Sequence, residues 1–165
     1  MTVRPLRLFG DPVLTTVATP VTHFDDALRN LVEDMLETMD ASGGVGLAAN
    51  QIGIAKRVFV FDCQGMRGHL INPVWAPLGE ATQTGLEGCL SIPGIRAEVT
   101  RHDTVVASGA DMYGRPLAIR GTGLLARCIQ HEADHLDGVL FLTRMEPAAR
   151  KEAMAHIRAA DWFTT

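Results

Sequence analysis

Gly123-Leu124-Leu125-Ala126-Arg127-Cys128-Ile129-Gln130-His131-Glu132-Ala133-Asp134-His135-Leu136 is the stretch on which the reading of this sequence turns. It reads as a helix, closed by Asp137-Gly138. Side chains four apart on a helix stand one above the other, so His131 and His135 can converge on one divalent metal ion. Glu132 lies beside that point without having to be a ligand, placed to accept a proton from a water that the ion activates. The bland alternative is two unrelated histidines that happen to fall at helical spacing.

Working outward, the residues before this helix change period. From Phe24 to Met39 the apolar positions Leu28, Leu31, Val32, Met35, Leu36 and Met39 follow one helix face. Thr22 and Asp25 resemble a capping box at its start, and Ser42-Gly43-Gly44 ends it. Between the two helices lie short β-rich runs: Arg57–Cys63, His69–Trp75, Gly94–Arg101, Thr104–Ala110 and Pro116–Arg120. Gly, Pro and Asp separate them, and Met112-Tyr113-Gly114-Arg115 reads as a hairpin turn. A last helix is expected over Glu146–Ala160, with Pro147 in its first turn. Residues 1–20, with Pro5, Gly10-Asp11-Pro12 and Pro20, read as an extended arm laid over the body. Helix, strand block, then helices means α+β, with helices packed on a largely antiparallel sheet.

Composition narrows the class. A chain of 165 residues, 47% hydrophobic and 21% charged, suits a single domain over residues 1–165 that folds without a staple. No apolar run approaches the ~20 residues of a membrane helix; Val58-Phe59-Val60-Phe61 is strand-sized. The formal net charge of −4 argues against a general nucleic-acid binder, DNA included. Met1-Thr2-Val3-Arg4-Pro5 carries no apolar signal core, and the cysteines number three. Reduced thiols in a cytoplasmic compartment are therefore expected, not a disulfide scaffold.

The third ligand separates the families that share a His-Glu-x-x-His helix. A thermolysin-like peptidase would offer a glutamate on a following helix. A metzincin would continue to a third histidine, and Phe141 stands in that place. Among the cysteines, Cys128 shares the face of His131 but lies seven residues from His135, about 10.5 Å along the axis. A short thiol arm spans that poorly, so Cys128 reads as a small apolar group near the site. Cys89, in Glu87-Gly88-Cys89-Leu90-Ser91, sits beside a glycine that lets backbone approach closely. Cys63 ends a strand and reads as a core thiol. A further segment, Gly44-Val45-Gly46-Leu47-Ala48-Ala49-Asn50-Gln51, is glycine-rich but matches no phosphate-binding pattern.

Three segments in this order and spacing, Gly44–Gln51, Glu87–Ser91 and Gln130–Leu136, resemble the motifs of the peptide deformylases. Gly10-Asp11-Pro12-Val13-Leu14, Asn72-Pro73 and Gly138-Val139-Leu140-Phe141 are similar to family sequence as well, so the resemblance spans nearly the whole chain. It implies an α+β fold in which mostly antiparallel sheets surround a central metal-binding helix, with an N-terminal and a C-terminal helix. It implies that Cys89, His131 and His135 hold one divalent metal with water as fourth ligand: Fe(II) in the cell, replaceable by Zn(II), Ni(II) or Co(II). Glu132 is then general base and acid, and Gln51 and the Leu90 N–H stabilise the oxygen of the attacked carbonyl. The implied substrate is the N-formyl-methionine end of a newly made polypeptide, hydrolysed to formate and a free amine.

The residues themselves suit these roles. Val45, Leu124, Cys128 and the edge of His131 are apolar walls fit for a methionine thioether. Backbone at Val45, Gly46 and Gly88 can pair with a substrate main chain as an added strand. Arg96 is a candidate for closing the pocket, with a solvated surface arginine as the equal alternative. Leu86 and Thr143 stand where the family often carries acidic residues, and neither position belongs to the proposed chemistry. His23, His69, His102 and His156 match no ligand motif. Arg150, Lys151 and Arg158 on the last helix could meet ribosomal RNA, although a solvated face accounts for them more simply. Two other readings remain: a zinc metallopeptidase of the same helix type, and a non-catalytic formyl-peptide-binding relative.

Overall fold

A computed structural model describes residues 2–163; Met1, Thr164 and Thr165 lie outside the described residues. The helix α1, Asp26–Ser42, starts at Asp25, whose carboxylate accepts from the Leu28 N–H at 3.0 Å. Such a cap contributes about 1 kcal/mol. Thr22 has no part in it, because its hydroxyl pairs with His23 instead. Gly43 ends α1 in the left-handed region, with φ at 72°, a conformation that costs glycine little. That turn delivers the chain directly into β1, Gly46–Ala48, and a 3-10 turn, Ala49–Ile52.

Six further strands follow: β2 (Val58–Cys63), β3 (Met66–Pro77), β4 (Thr82–Cys89), β5 (Ile92–His102), β6 (Thr104–Ala110) and β7 (Pro116–Thr122). A five-stranded sheet runs β1-β2-β3-β6-β7, and β4 pairs with β5 in a second sheet; every pairing is antiparallel. The helix α2, Gly123–Leu136, has the bounds read from the sequence, and α3, Pro147–Ala159, falls within the expected span. Two strands went unread. β1 is three residues in a glycine-rich run, and β4 carries two glycines and no apolar alternation, so only long-range pairing makes either one a strand.

The continuous apolar run of β2 has a simple cause. Phe59, Phe61 and Cys63 face one side of the large sheet, packed with Leu125, Ile129 and Leu136 of α2. Val58 and Val60 face the other, against Leu28, Val32, Met35 and Met39 of α1. Both faces of the strand are covered, so a period of two disappears into uniform hydrophobicity. A third cluster joins Ile92 and Val99 of β5 to Phe141, Ile157 and Leu14 of the N-terminal arm. α2 thus touches both sheets, and every residue from Leu125 to Leu136 is buried. Its polar side chains must find partners inside the protein.

Candidate metal centre

α2 presents His131 and His135 side by side, with their Nε2 atoms 3.2 Å apart. β4 brings Cys89 to the same point, its Sγ 3.3 Å from the His135 Nε2. A register shift between Gly88 and Cys89 leaves residues 93–95 of β5 unpaired, so Cys89 is re-aimed at the end of its strand. Ligand atoms of Cys89, His131 and His135 all lie within 4.8 Å of one another. Tetrahedral bonds of about 2.05 Å to nitrogen and 2.3 Å to sulfur would require edges of roughly 3.3 and 3.6 Å. The observed triangle fits one ion. Cys128 is not part of it; its thiol points to the Val45 carbonyl at 3.6 Å.

The two imidazoles sit in opposite electrostatic environments. Burial lowers the pKa of His135 well below the usual imidazole range, and the charges of His131 and Arg101 lower it further. His135 is therefore held neutral, as ligation needs. At His131 burial acts downward too, yet the Glu132 charge and the hydrogen bonds its ring donates to Cys89 and Glu87 prevail and push it well above.

Glu87 orients His131. Its Oε1 lies 2.6 Å from the His131 Nδ1, so the ring presents its other nitrogen to the triangle. Glu87 is in turn gripped by Arg101 through Nε and an NH2 group (3.1 and 2.6 Å) and by Arg127 at 2.7 Å. Arg101 also bonds Asp134, the neighbour of His135, at 2.7 Å. All four of these charged residues are buried. Burial alone would raise the Glu87 pKa, but the bonds from His131 and Arg101 hold it far below the ordinary carboxylate range. This network was missed in the sequence. The available signal was two arginines, Arg101 and Arg127, inside segments otherwise bound for the core.

Glu132 is also buried, and its Oε1 has no hydrogen-bond partner. Burial raises its pKa to about 7, with the Glu87 charge adding to the rise and His131 opposing it. A carboxyl group at that value can both take and give a proton near neutrality. Strand β1 passes directly over it. A Cβ on Gly46 would stand 2.7 Å from both the Glu132 Oε2 and the Cys128 Sγ, closer than atoms tolerate. Gly46→Ala is expected to destabilise the fold by about 1–3 kcal/mol and to cut activity. Thermal unfolding and a rate measurement on the folded fraction check both effects.

Gln51, in the turn after β1, is locked by its own amide. Its Oε1 accepts from the Ala48 N–H at 2.9 Å, and its Nε2 donates to the Ser91 hydroxyl at 3.1 Å. The same Nε2 lies 3.7 Å from the Cys89 sulfur. An amide nitrogen carries two protons: one serves the Ser91 hydroxyl, and the other, on the long contact to the Cys89 sulfur, is the one a ligand oxygen can take over. A cavity of about 620 Å³ opens here, and Gln51, Leu90, Cys89, His131 and Glu132 line it. Val45, Gly46, Gly88, Arg96, Leu124 and Cys128 border the same cavity. Its rim is apolar where Val45, Leu86 and Leu124 are exposed. His69 lies elsewhere, accepting from the Met112 N–H, and His102 packs against Trp75.

The sequence pattern of the family described as polypeptide deformylase matches residues 3–151. The chain belongs to that family. Peptide deformylase 1 of Corynebacterium efficiens is 62% identical over 167 aligned residues, covering 99% of each chain. Peptide deformylase 1 of Corynebacterium glutamicum is 61% identical with the same coverage. Among solved structures, a deformylase of Ehrlichia chaffeensis in complex with actinonin superposes with a TM-score of 0.90 at 33% identity, over 98% of this chain and 99% of that one. The Synechococcus elongatus deformylase, also in complex with actinonin, gives 0.88 at 42% identity, over 97% of this chain and 90% of that one. The α+β architecture described above is the deformylase fold, and the ligand atoms of Cys89, His131 and His135 lie close enough within it to hold one metal ion.

Proposed function

We propose that this deformylase hydrolyses the N-formyl group from the amino-terminal formyl-methionine of newly made polypeptides, acting as a single domain over residues 1–165. The observation that carries this reading is the convergence of two imidazoles and a thiol beside a buried, unpartnered carboxylate. A divalent ion bound by Cys89, His131 and His135 supplies Lewis-acid activation of a water. Fe(II) is the ion expected in the cell, and a His₂Cys donor set also accommodates Zn(II), Ni(II) and Co(II).

Glu132 takes a proton from the attacking water as its oxygen bonds to the formyl carbon, then delivers that proton to the amine nitrogen as the C–N bond breaks. Formate and a free amine leave, so atoms balance. The Gln51 amide proton on the long contact to Cys89, together with the Leu90 N–H, donates to the formyl oxygen as charge develops on it. Val45, Leu124 and Cys128 receive the methionine side chain. Backbone at Val45, just before β1, at Gly46 of β1 and at Gly88 of β4 flanks the cavity and accepts the substrate main chain as an added strand. Arg96, exposed at the rim, closes over the entering chain.

A cytoplasmic location follows in this reading from Cys89, whose oxidation would cost the metal a ligand. Among the described residues no helix is long and apolar enough to cross a membrane. The exposed Arg150, Lys151 and Arg158 of α3 are the surface offered to the ribosome. The zinc-peptidase alternative wants its third ligand from a following helix, whereas the third donor here is Cys89.

Gln51→Ala is expected to lower kcat by about 10²–10³-fold with a small change in KM, because an oxyanion donor acts mainly in the transition state. Steady-state rates on a formyl-Met peptide check this. The reading as a whole is tested by following amine release from a formyl-Met peptide beside an internal-peptide substrate. Release from the first and not the second is expected; cleavage of the internal peptide instead would make the protein a peptidase.

A further inference from the structure

The N-terminal arm precedes every chemistry-bearing segment in the chain, yet it makes one backbone hydrogen bond to each of the three. The Arg7 N–H donates to the Gln51 carbonyl at 2.7 Å, the Phe9 N–H to the Ser91 carbonyl at 2.8 Å, and the Ala18 N–H to the Leu136 carbonyl at 2.9 Å. Leu136 directly follows His135. The arm is itself well anchored: Leu14 is fully buried, and the Asn50 amide donates to the Thr16 carbonyl at 3.1 Å.

The first two of these bonds close a ring. Gln51 and Ser91 are joined to each other through their side chains, Nε2 to Oγ. Their backbones are joined a second time by Arg7 and Phe9, which stand two residues apart in the arm. Gln51 and Leu90, the neighbour of Ser91, are the residues read above as donors to the formyl oxygen. They come from different segments, 39 positions apart in sequence. Nothing in either segment alone sets their separation.

We infer that the arm from Arg7 to Ala18 is a positioning strap for the reaction centre, which holds the Gln51 amide and the Leu90 N–H at the spacing the transition state needs. The inference rests on the deformylase reading of Gln51 and Leu90. Arg7 and Phe9 act only through the backbones they grip. A strap of this kind affects kcat, because a displacement on the order of 1 Å in a charge-stabilising donor costs about 10²-fold in rate.

The test compares Phe9→Pro, which lacks the donating N–H, with Phe9→Leu, which keeps it. Both are measured on a formyl-Met peptide beside the parent protein, with metal content determined for each. Phe9→Pro is expected to retain one ion per chain and a KM within about threefold, while kcat falls about 10–100-fold. Phe9→Leu is expected to restore kcat to within about threefold of the parent. A folded, metal-loaded Phe9→Pro with parental kcat overturns the strap, and so does an equal loss in Phe9→Leu. Inactivity of the parent protein itself would instead overturn the deformylase reading.

Should Phe9→Pro fail to fold, amide hydrogen exchange on Glu132→Ala protein decides. Saturation with a formyl-Met peptide is expected to slow exchange at Arg7 and Phe9 together, since ligand on the ring's donors tightens the ring. Unchanged exchange at both amides overturns the proposal.

Discussion

Glu132→Ala is expected to keep one metal ion per chain and to lose about 10²–10⁴-fold in turnover of a formyl-Met peptide. The carboxylate is not among the three ligand-bearing residues of the cluster, so its removal leaves the donor set intact. It is nonetheless buried over the same cavity, with one oxygen free of any partner and a pKa raised by burial to about 7. Glu87 lines the same cavity, but its bonds from His131 and Arg101 hold its pKa far below the ordinary carboxylate range. Burying an unpaired carboxyl group costs stability, so Glu132→Ala should unfold at the same temperature as the parent or a higher one. A variant that is more stable, still loaded and nearly inactive separates chemistry from folding. Turnover close to that of the parent would remove Glu132 from the acid–base role.

Glu87→Ala should be the most damaging single change to the structure. Glu87 accepts from His131, Arg101 and Arg127 at once, and truncation would leave two buried guanidinium groups without this partner. Breaking a buried ionic network in this way costs about 3–5 kcal/mol. The loss of the carboxylate behind His131 should also weaken metal affinity by about 10–100-fold. Glu87→Gln keeps the shape and one acceptor, so its losses should be smaller in both respects. Denaturant unfolding and metal titration measure the two effects separately. Glu87→Ala with parental stability and affinity would mean that Arg101, through Asp134, suffices to hold α2.

Much of the site was legible because its chemistry is local. His131, Glu132 and His135 sit within one helical turn, and a spacing of four residues states their convergence outright. α1 and α2 were legible for the same reason: their apolar stripes repeat at a period set by the helix. What escaped depends on contacts between distant segments. β4 carries no apolar alternation, because its inward positions are Gln83, Gly85, Glu87 and Cys89, none of which is a large core hydrophobe. β1 is only as long as its pairing with β2. The orienting role of Glu87 required knowing that β4 lies against α2, and the arm's three bonds required knowing where three separate motifs meet. Local propensity is silent on such pairings.

The account stands most directly on a coupled measurement of metal, formate and amine. Protein stripped of metal under anaerobic conditions is reloaded in steps with Fe(II) or Ni(II) and assayed on a formyl-Met peptide. The expected result is turnover that rises in proportion to bound ion, saturates at one ion per chain, and releases formate and free amine in equal amounts. Folded protein that binds one ion per chain and releases no formate would contradict the account, as would turnover undiminished in the stripped protein.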